Sequence, residues 1–354
     1  MPVQMLDPVR LQRAFDLARG HVATGQVPAA VLAVATSRET VRVEAFSGTD
    51  FVEVDSRFAV ASITKPIVAA AVMQLVEAGQ LVLDDPVVRY LPEFRPPPRG
   101  QGEPGGEAVT AWQILSHTSG MRDIAEPLER VGIGATRIYE ELCRRPLASP
   151  PRAEYSYCTD SFYVLGELIR RLSGLPYPEY LRERLFKPLG MVSTSFDPGP
   201  AGARAPFHAA PEAEPATEDT FSALASLAHP GAGLSAPAGD VVAFGRAMLF
   251  GGTLDSARVL GRPFVELMTR EQTAGILESG TPPREPRYAL GWAKSGLDGS
   301  SPGSPAQFGH AGATGTRLWV DPAHDLVIVF LMNVWGAENH YGLSAVQALY
   351  GALD

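Results

Sequence analysis

Residues 58–77 have the sequence FAVASITKPIVAAAVMQLVE, and this stretch organises the rest of the chain. Its second half is almost wholly apolar, which favours a buried helix from about Ser62 to Glu77 that stops at Gly79. Pro66 lacks a backbone donor and is tolerated in a first turn, so the helix must begin close to Ser62. Ser62 and Lys65 then lie on one face of that turn, a few ångströms apart.

The spacing of Ser62 and Lys65 indicates a nucleophile and its base. A serine hydroxyl becomes a good nucleophile when a neighbouring group removes its proton. A lysine amine can take that proton if burial or positive potential lowers its pKa from the reference value of about 10.4. A helix N-terminus supplies such potential and also presents backbone N–H groups to a developing oxyanion.

The alternative interpretation of this motif is a helix cap beside a surface lysine. Lys65 is one of three lysines among 30 basic residues, the others being Lys187 and Lys294. It is followed by an apolar run in which a lysine has no role in solubility. This context favours the catalytic interpretation.

Patterns on either side of this stretch predict an α+β fold. We expect an antiparallel sheet flanked by the N- and C-terminal helices, together with a mostly helical lobe. The sheet lobe would comprise residues 1–60 and 225–354, the helical lobe residues 61–224, and the active site would lie between them. Predicted strands cover 29–37, 40–48, Tyr288–Ala293, Thr316–Val320 and Leu326–Asn333, and predicted helices Phe162–Leu172, Glu179–Leu185, Asp240–Phe250 and Leu343–Leu353.

Composition excludes several classes of function. With 354 residues, 45% of them apolar, the chain can bury a large core and is not disordered. A net charge of −9 argues against a nucleic-acid partner. Cys143 and Cys158 do not suggest a disulfide framework, and seven scattered histidines show no ligand spacing, so we expect neither a metal nor a cofactor. Gly132-x-Gly134 lacks the third glycine of a dinucleotide site.

The termini and apolar runs predict a cytoplasmic protein. The first twenty residues contain no apolar segment typical of an export signal. The longest apolar runs are far shorter than the roughly 20 residues of a membrane span. We therefore expect a small-molecule substrate and no membrane partner; no feature of the sequence indicates an oligomeric state.

Two further motifs could contribute to an active site. The loop sequence YSYCTD, residues 155–160, contains Tyr157, which could act as a base or proton shuttle, although a packed tyrosine is the simpler alternative. The sequence GHAGA, residues 309–313, places glycines beside His310. Such backbone permits close approach of a substrate and could supply a second oxyanion donor.

Ser62-x-x-Lys65, Tyr157 and His310-Ala311-Gly312, in this order, resemble the three motifs of serine β-lactamase-fold hydrolases of the class C type. That family includes family VIII carboxylesterases and some D-amino-acid-specific peptidases, and the resemblance extends over almost the whole chain, for example in ILSHTSGM and YALGWAK. The resemblance implies that Ser62 is acylated and that Lys65 and Tyr157 share proton transfer. It also implies an oxyanion hole made by the N–H groups of Ser62 and Ala313, with Thr159, His310 and Gly312 lining the substrate site.

Two departures from the family pattern bear on the substrate. Thr159 stands where many relatives have an asparagine, and a hydroxyl cannot replace the donors and acceptor of an amide. His310 stands where many relatives have lysine, and a neutral imidazole supplies less positive charge to a substrate carboxylate. Both departures favour neutral esters. The sequence therefore predicts a hydrolase of small acyl esters; the alternatives are a β-lactamase or D-stereospecific amidase or peptidase, and a catalytically inactive penicillin-binding-like relative.

Two other serine patterns are weaker candidates. Gly299-Ser300-Ser301-Pro302-Gly303 fits the nucleophile elbow of α/β-hydrolases, but it lies in a loop-like sequence without the flanking strand and helix. His117 and Ser119 could be imagined as a dyad. We interpret them instead as a helix end and turn, with Gly120 as the stop.

Overall fold

A five-stranded antiparallel sheet forms the centre of the molecule in a computed structural model, which describes residues 6–124, 133–210, 225–280, 282–294, 302–337 and 340–353. The strands come from both ends of the chain, so the sheet joins the two termini. This arrangement confirms the predicted α+β fold. In spatial order the strands are Thr40–Ser47, Ala29–Ala35, Leu326–Leu331, Arg317–Asp321 and Phe308–Ala311.

The strands Ala29–Ala35 and Leu326–Leu331 are apolar at every position and are buried on both faces of the sheet. Alternate side chains point to opposite faces of a strand. Leu32 and Val34 pack against the terminal helices Pro8–Ala23 and His340–Tyr350. Val31 points to the opposite face of the sheet, towards the helix Ala238–Leu249. The sheet is therefore the middle of three layers.

The helix Thr64–Glu77 is apolar and buried for most of its length, and it lies in the same core as Val31 and the helix Ala238–Leu249. A helix of this kind is stable only when it is surrounded by protein. It packs against the helices Phe162–Ser173 and Arg262–Thr269. The helix confirms the prediction, except that Ser62 itself lies in a preceding 3₁₀ turn, Ala61–Ile63.

Shorter elements surround this helix. Two-residue strands Phe58–Ala59 and Ser235–Ala236 pair directly before the 3₁₀ turn and anchor it.

No helix in the described ranges has the length and apolar character needed to cross a bilayer. The lobe boundaries at 60/61 and 224/225 stay a prediction. The other helices are Ala111–Leu115, Ala135–Arg144 and Tyr177–Leu181, the last continuing into a π turn over Arg182–Phe186.

The predicted strand Tyr288–Ala293 is wrong. The segment makes a tight turn, in which Ala289 N–H donates to Trp292 O, and it forms only isolated bridges. Gly291 has φ +75° and approaches the helix Thr64–Glu77 so closely that a Cβ would lie 2.5 Å from Ala69 Cβ. The glycine turns the chain back, so an apolar run that resembles a strand becomes a turn against the helix.

Candidate active site

Lys65 and Ser62 meet at the start of the buried helix. The Lys65 side chain is 0% exposed, and its Nζ lies 3.1 Å from Ser62 Oγ. Nζ also donates to the Gly231 carbonyl at 2.8 Å and contacts Thr159 Oγ1 at 3.3 Å. An uncharged amine in this position can donate its two hydrogens to Gly231 and Thr159 and direct its lone pair at the Ser62 hydroxyl. The geometry is that of a base beside its nucleophile.

Tyr157 lies beside the same amine, with its ring centroid 4.7 Å from Lys65 Nζ. Desolvation of the phenol raises the pKa of Tyr157 above its ordinary value and the nearby Ser62 hydroxyl lowers it in part, although 38% of the residue is exposed. The phenol therefore keeps its proton at neutral pH and is suited to relaying a proton rather than to acting as a phenolate.

The third motif is tied to the nucleophile turn by two threonine hydroxyls that the sequence interpretation missed. Thr314 Oγ1 donates to Ala59 O and Thr316 Oγ1 to Val60 O, so the carbonyls just before Ser62 hold the loop. Gly312 lies close to the Val60 carbonyl and leaves no room for a side chain, because a Cβ there would lie 2.6 Å from Val60 O. The loop that follows the strand Phe308–Ala311 is thereby placed against the nucleophile.

The predicted oxyanion donors are available. Within the described part of the chain, neither the Ser62 nor the Ala313 backbone N–H donates to a carbonyl. Ala61, directly before Ser62, has φ +44°, an uncommon conformation for a residue with a Cβ. Backbone strain of this kind occurs at functional sites, where the surrounding structure maintains it.

His310 is buried at 5% exposure, and both of its ring nitrogens are engaged. Its Nδ1–H donates to Ala311 O at 2.8 Å, and its Nε2 accepts from the Tyr288 hydroxyl at 2.8 Å. Burial, with a smaller contribution from Lys65, lowers the pKa of His310 to about 3. The imidazole is therefore neutral and presents no free donor to a substrate carboxylate.

His117, interpreted from the sequence as part of a turn, lies directly against the candidate catalytic residues. It does follow the end of the helix Ala111–Leu115, as expected. Its ring centroid, however, is 4.3 Å from that of Tyr157 and 4.9 Å from that of Tyr288. Its 1% exposure is unusual for a polar turn residue, and a run of buried polar side chains from Ser116 to Ser119 surrounds it.

A third buried imidazole binds the backbone N–H of Gly231, the residue whose carbonyl accepts from Lys65. His229 Nδ1 accepts from Gly231 N–H at 2.9 Å, so its Nε2 carries the proton and donates to Asp160 at 3.1 Å. Asp160 is 0% exposed and also accepts from the Ile124 backbone N–H. This series of hydrogen bonds fixes the position of Gly231 and hence of its carbonyl. His229 and Asp160 are 69 residues apart, and no sequence pattern paired them.

The weaker sequence candidates fare differently. Ser301 and Gly299 of the elbow pattern, and Gly132, lie outside the described residues. Asp321 and His324 are the carboxylate and imidazole that follow the elbow pattern in sequence; they hydrogen-bond to each other at 2.9 Å at the end of the strand Arg317–Asp321 and form no triad with Ser301 that the structure describes. Both cysteines are buried free thiols. Among the residues that the structure describes, no group of three or more potential metal ligands comes together.

Comparisons with known proteins identify the family and the fold. Residues 15–351 match the family model described as Beta-lactamase. Penicillin-binding protein 4 of Amycolatopsis lactamdurans is 32% identical to this chain, in a match that covers 85% of this chain and 78% of that protein. Two solved structures share the fold. One, "EstCE1, a hydrolase with promiscuous acyltransferase activity", has a TM-score of 0.82, 21% identity and coverage of 97% of this chain and 99% of that one.

The second solved structure is a family VIII carboxylesterase with a TM-score of 0.77, 20% identity and complete coverage of both chains. The chain therefore belongs to the beta-lactamase family of serine hydrolases. The resemblance predicted from the three motifs is confirmed at the level of family and fold.

Gly231→Ala tests whether the Gly231 carbonyl positions Lys65. A Cβ at this position would lie 2.7 Å from Thr159 O, so the two loops on either side of the amine must separate. We expect kcat/KM for an ester to fall by about 10- to 100-fold, as for a displacement of about 1 Å in a reacting group. The measurement is steady-state kinetics on p-nitrophenyl butyrate, with the melting temperature as a check of folding.

Gly239→Ala is the matched control. Gly239 is exposed near the start of the helix Ala238–Leu249, and nothing lies within 4 Å of an added Cβ. Its kinetics should equal those of the wild type. A folded Gly231→Ala variant with unchanged kcat/KM would show that the Gly231 carbonyl does not position the amine.

Proposed function

We propose that this protein is a serine hydrolase that cleaves small uncharged acyl esters through an acyl-enzyme on Ser62. The observation that carries the proposal is the 3.1 Å contact between Ser62 Oγ and the fully buried Lys65 Nζ. A nucleophile, a base and a phenol within one cluster are what two-step acyl transfer requires.

Acylation uses these groups in order. Ser62 Oγ forms a bond to the ester carbonyl carbon while its proton moves to the Lys65 amine. The N–H groups of Ser62 and Ala313 stabilise the negative charge that develops on the carbonyl oxygen. As the ester C–O bond breaks, Lys65 and Tyr157 together pass the proton to the departing alkoxide. The alcohol leaves, and Ser62 carries the acyl group.

Deacylation follows the same steps with water as the nucleophile. Lys65, neutral again after the alcohol has left, accepts a proton from water through Tyr157, and the water oxygen attacks the acyl carbon. The bond to Ser62 Oγ breaks, Ser62 regains its proton, and the carboxylic acid departs. The same oxyanion donors serve both half-reactions.

Two features support neutral esters as substrates. The Thr159 hydroxyl, in the position of the family's asparagine, is already engaged by Lys65 Nζ. His310 is neutral with both nitrogens bonded, so it supplies neither charge nor a donor to a substrate carboxylate. The solved structures of an esterase-type hydrolase and a family VIII carboxylesterase are similar in fold, which is consistent with this choice.

The second candidate function is a β-lactamase or D-stereospecific amidase or peptidase. The 32% identity to Penicillin-binding protein 4 favours it. An inactive penicillin-binding-like relative is disfavoured, because a binding protein has no need of a serine, a buried lysine and a tyrosine in mutual contact. The cytoplasmic location stays a prediction.

The proposal predicts a substrate order. The kcat/KM for p-nitrophenyl acetate and butyrate should exceed that for a chromogenic cephalosporin, because Thr159 lacks the side-chain amide and His310 supplies neither charge nor a donor to a substrate carboxylate. Ser62→Ala should abolish turnover of all three substrates. Ser301→Ala is the control and should retain wild-type rates. A cephalosporin kcat/KM well above the ester values would reverse the order of the two candidates.

Thr159→Asn tests the role of the missing amide. The new side chain adds donors and an acceptor beside Lys65. We expect the ratio of cephalosporin to ester kcat/KM to rise about tenfold, the equivalent of one hydrogen bond of about 1.4 kcal/mol. Thr136→Asn, on the exposed face of the helix Ala135–Arg144, should leave the ratio unchanged. An unchanged ratio in an active Thr159→Asn variant would show that residue 159 does not select the substrate.

A further inference from the structure

The two peptide N–H groups on either side of Tyr157 are both bound by His117. Ser156 N–H donates to the His117 backbone carbonyl at 2.8 Å. Cys158 N–H donates to the His117 side chain at Nδ1, at 3.2 Å. The imidazole also packs on the Tyr157 ring at 4.3 Å between centroids with a 38° tilt. His117 therefore binds the backbone N–H groups of the residues before and after Tyr157 and also packs on the Tyr157 ring.

The conformation of His117 makes this contact possible. The residue has φ +57°, a left-handed conformation that histidine adopts more readily than most residues with a Cβ. In this conformation the His117 carbonyl and the His117 ring both contact the segment that contains Tyr157. The burial is nearly complete, at 1% exposure. The pair of hydrogen bonds is therefore shielded from water, where such bonds are strongest.

The hydrogen bond at Nδ1 requires a neutral imidazole. A nitrogen that accepts from Cys158 N–H cannot itself carry a hydrogen, so the proton of the neutral ring is on Nε2. Burial lowers the pKa of His117 well below its usual value. Lys65, His310, Tyr155, Tyr157 and Tyr288 are the titratable groups that face it. The ring therefore remains an acceptor across the neutral range.

We propose that His117 is a positioning residue, which holds the Tyr157 phenol against Ser62 through the Nδ1 acceptor and the backbone carbonyl. This inference rests on the proposed function, since it assigns a role in the same reaction. The contacts of His117 in the described residues include Tyr157 but not Ser62, so it acts through Tyr157. Loss of the acceptor would leave the Cys158 N–H buried without a partner and free the tyrosine loop to shift.

Two substitutions separate the acceptor from the ring. His117→Phe keeps an aromatic ring for Tyr157 but removes the acceptor. His117→Asn removes the ring but supplies an amide oxygen near the position of Nδ1, and asparagine tolerates the left-handed backbone. We expect kcat for p-nitrophenyl butyrate to fall by about 10- to 100-fold in the Phe variant with KM little changed, because a reacting group is displaced. The Asn variant should recover to within about tenfold of the wild type.

Ser119→Ala is the control in the same turn. Ser119 is buried, and its hydroxyl accepts from Met121 N–H without touching Tyr157. This variant should keep wild-type kcat. Melting temperatures of all variants distinguish an unfolded protein from an inactive one. If the Phe variant does not fold, His117→Asn decides alone, with kcat within about tenfold of the wild type in support and a larger loss in contradiction.

A readout that needs no turnover separates this inference from the proposed function. Amide hydrogen exchange of the segment 155–160, followed by mass spectrometry, should be faster in His117→Phe and near wild type in His117→Asn. If wild-type protein cleaves no ester, the proposed function fails while the exchange rates still test the contact. A folded Phe variant with wild-type kcat and wild-type exchange, or an Asn variant as impaired as the Phe variant, would overturn the inference.

Discussion

The rest of the site depends on a lysine amine that has no access to water. A buried polar group is tolerated only where hydrogen-bond partners replace the solvent. For Lys65 those partners include a fixed carbonyl at Gly231, the Thr159 hydroxyl and Ser62 itself. The apolar helix Thr64–Glu77 supplies the burial, and loops from distant parts of the chain supply the partners. Arginine would not serve, because its guanidinium does not lose a proton in proteins.

The fold brings three segments to the start of this helix. The edge strand Phe308–Ala311 and the loop after it carry the third motif, whose Thr314 and Thr316 hydroxyls bind the carbonyls before Ser62. The helix Phe162–Ser173 places the Tyr157 loop on the opposite side. Behind both lie neutral imidazoles, His117 and His310, which act as hydrogen-bond acceptors and spacers. The site thus combines one basic amine with two neutral imidazoles, neither of which offers positive charge to a substrate carboxylate.

The sequence was sufficient for local features and insufficient for long-range ones. The helix, the α+β class and the contact of Ser62 with Lys65 follow from spacing and hydrophobic pattern, which are local properties. The roles of His117 and His229 depend on backbone that arrives from elsewhere in the chain, and a single histidine in a turn carries no signal of its own. The error at Tyr288–Ala293 has a similar cause, because only the packing of Gly291 against Ala69 distinguishes the turn from a strand.

The most direct test of the account is the site of covalent labelling by an activated alkyl phosphonate, located by intact mass and peptide mapping. The account predicts one phosphonyl group per chain, attached to Ser62, with much slower labelling in a folded Lys65→Met variant because the base is gone. A label on another residue, or equal labelling rates with and without Lys65, would contradict the claim that the buried amine activates Ser62.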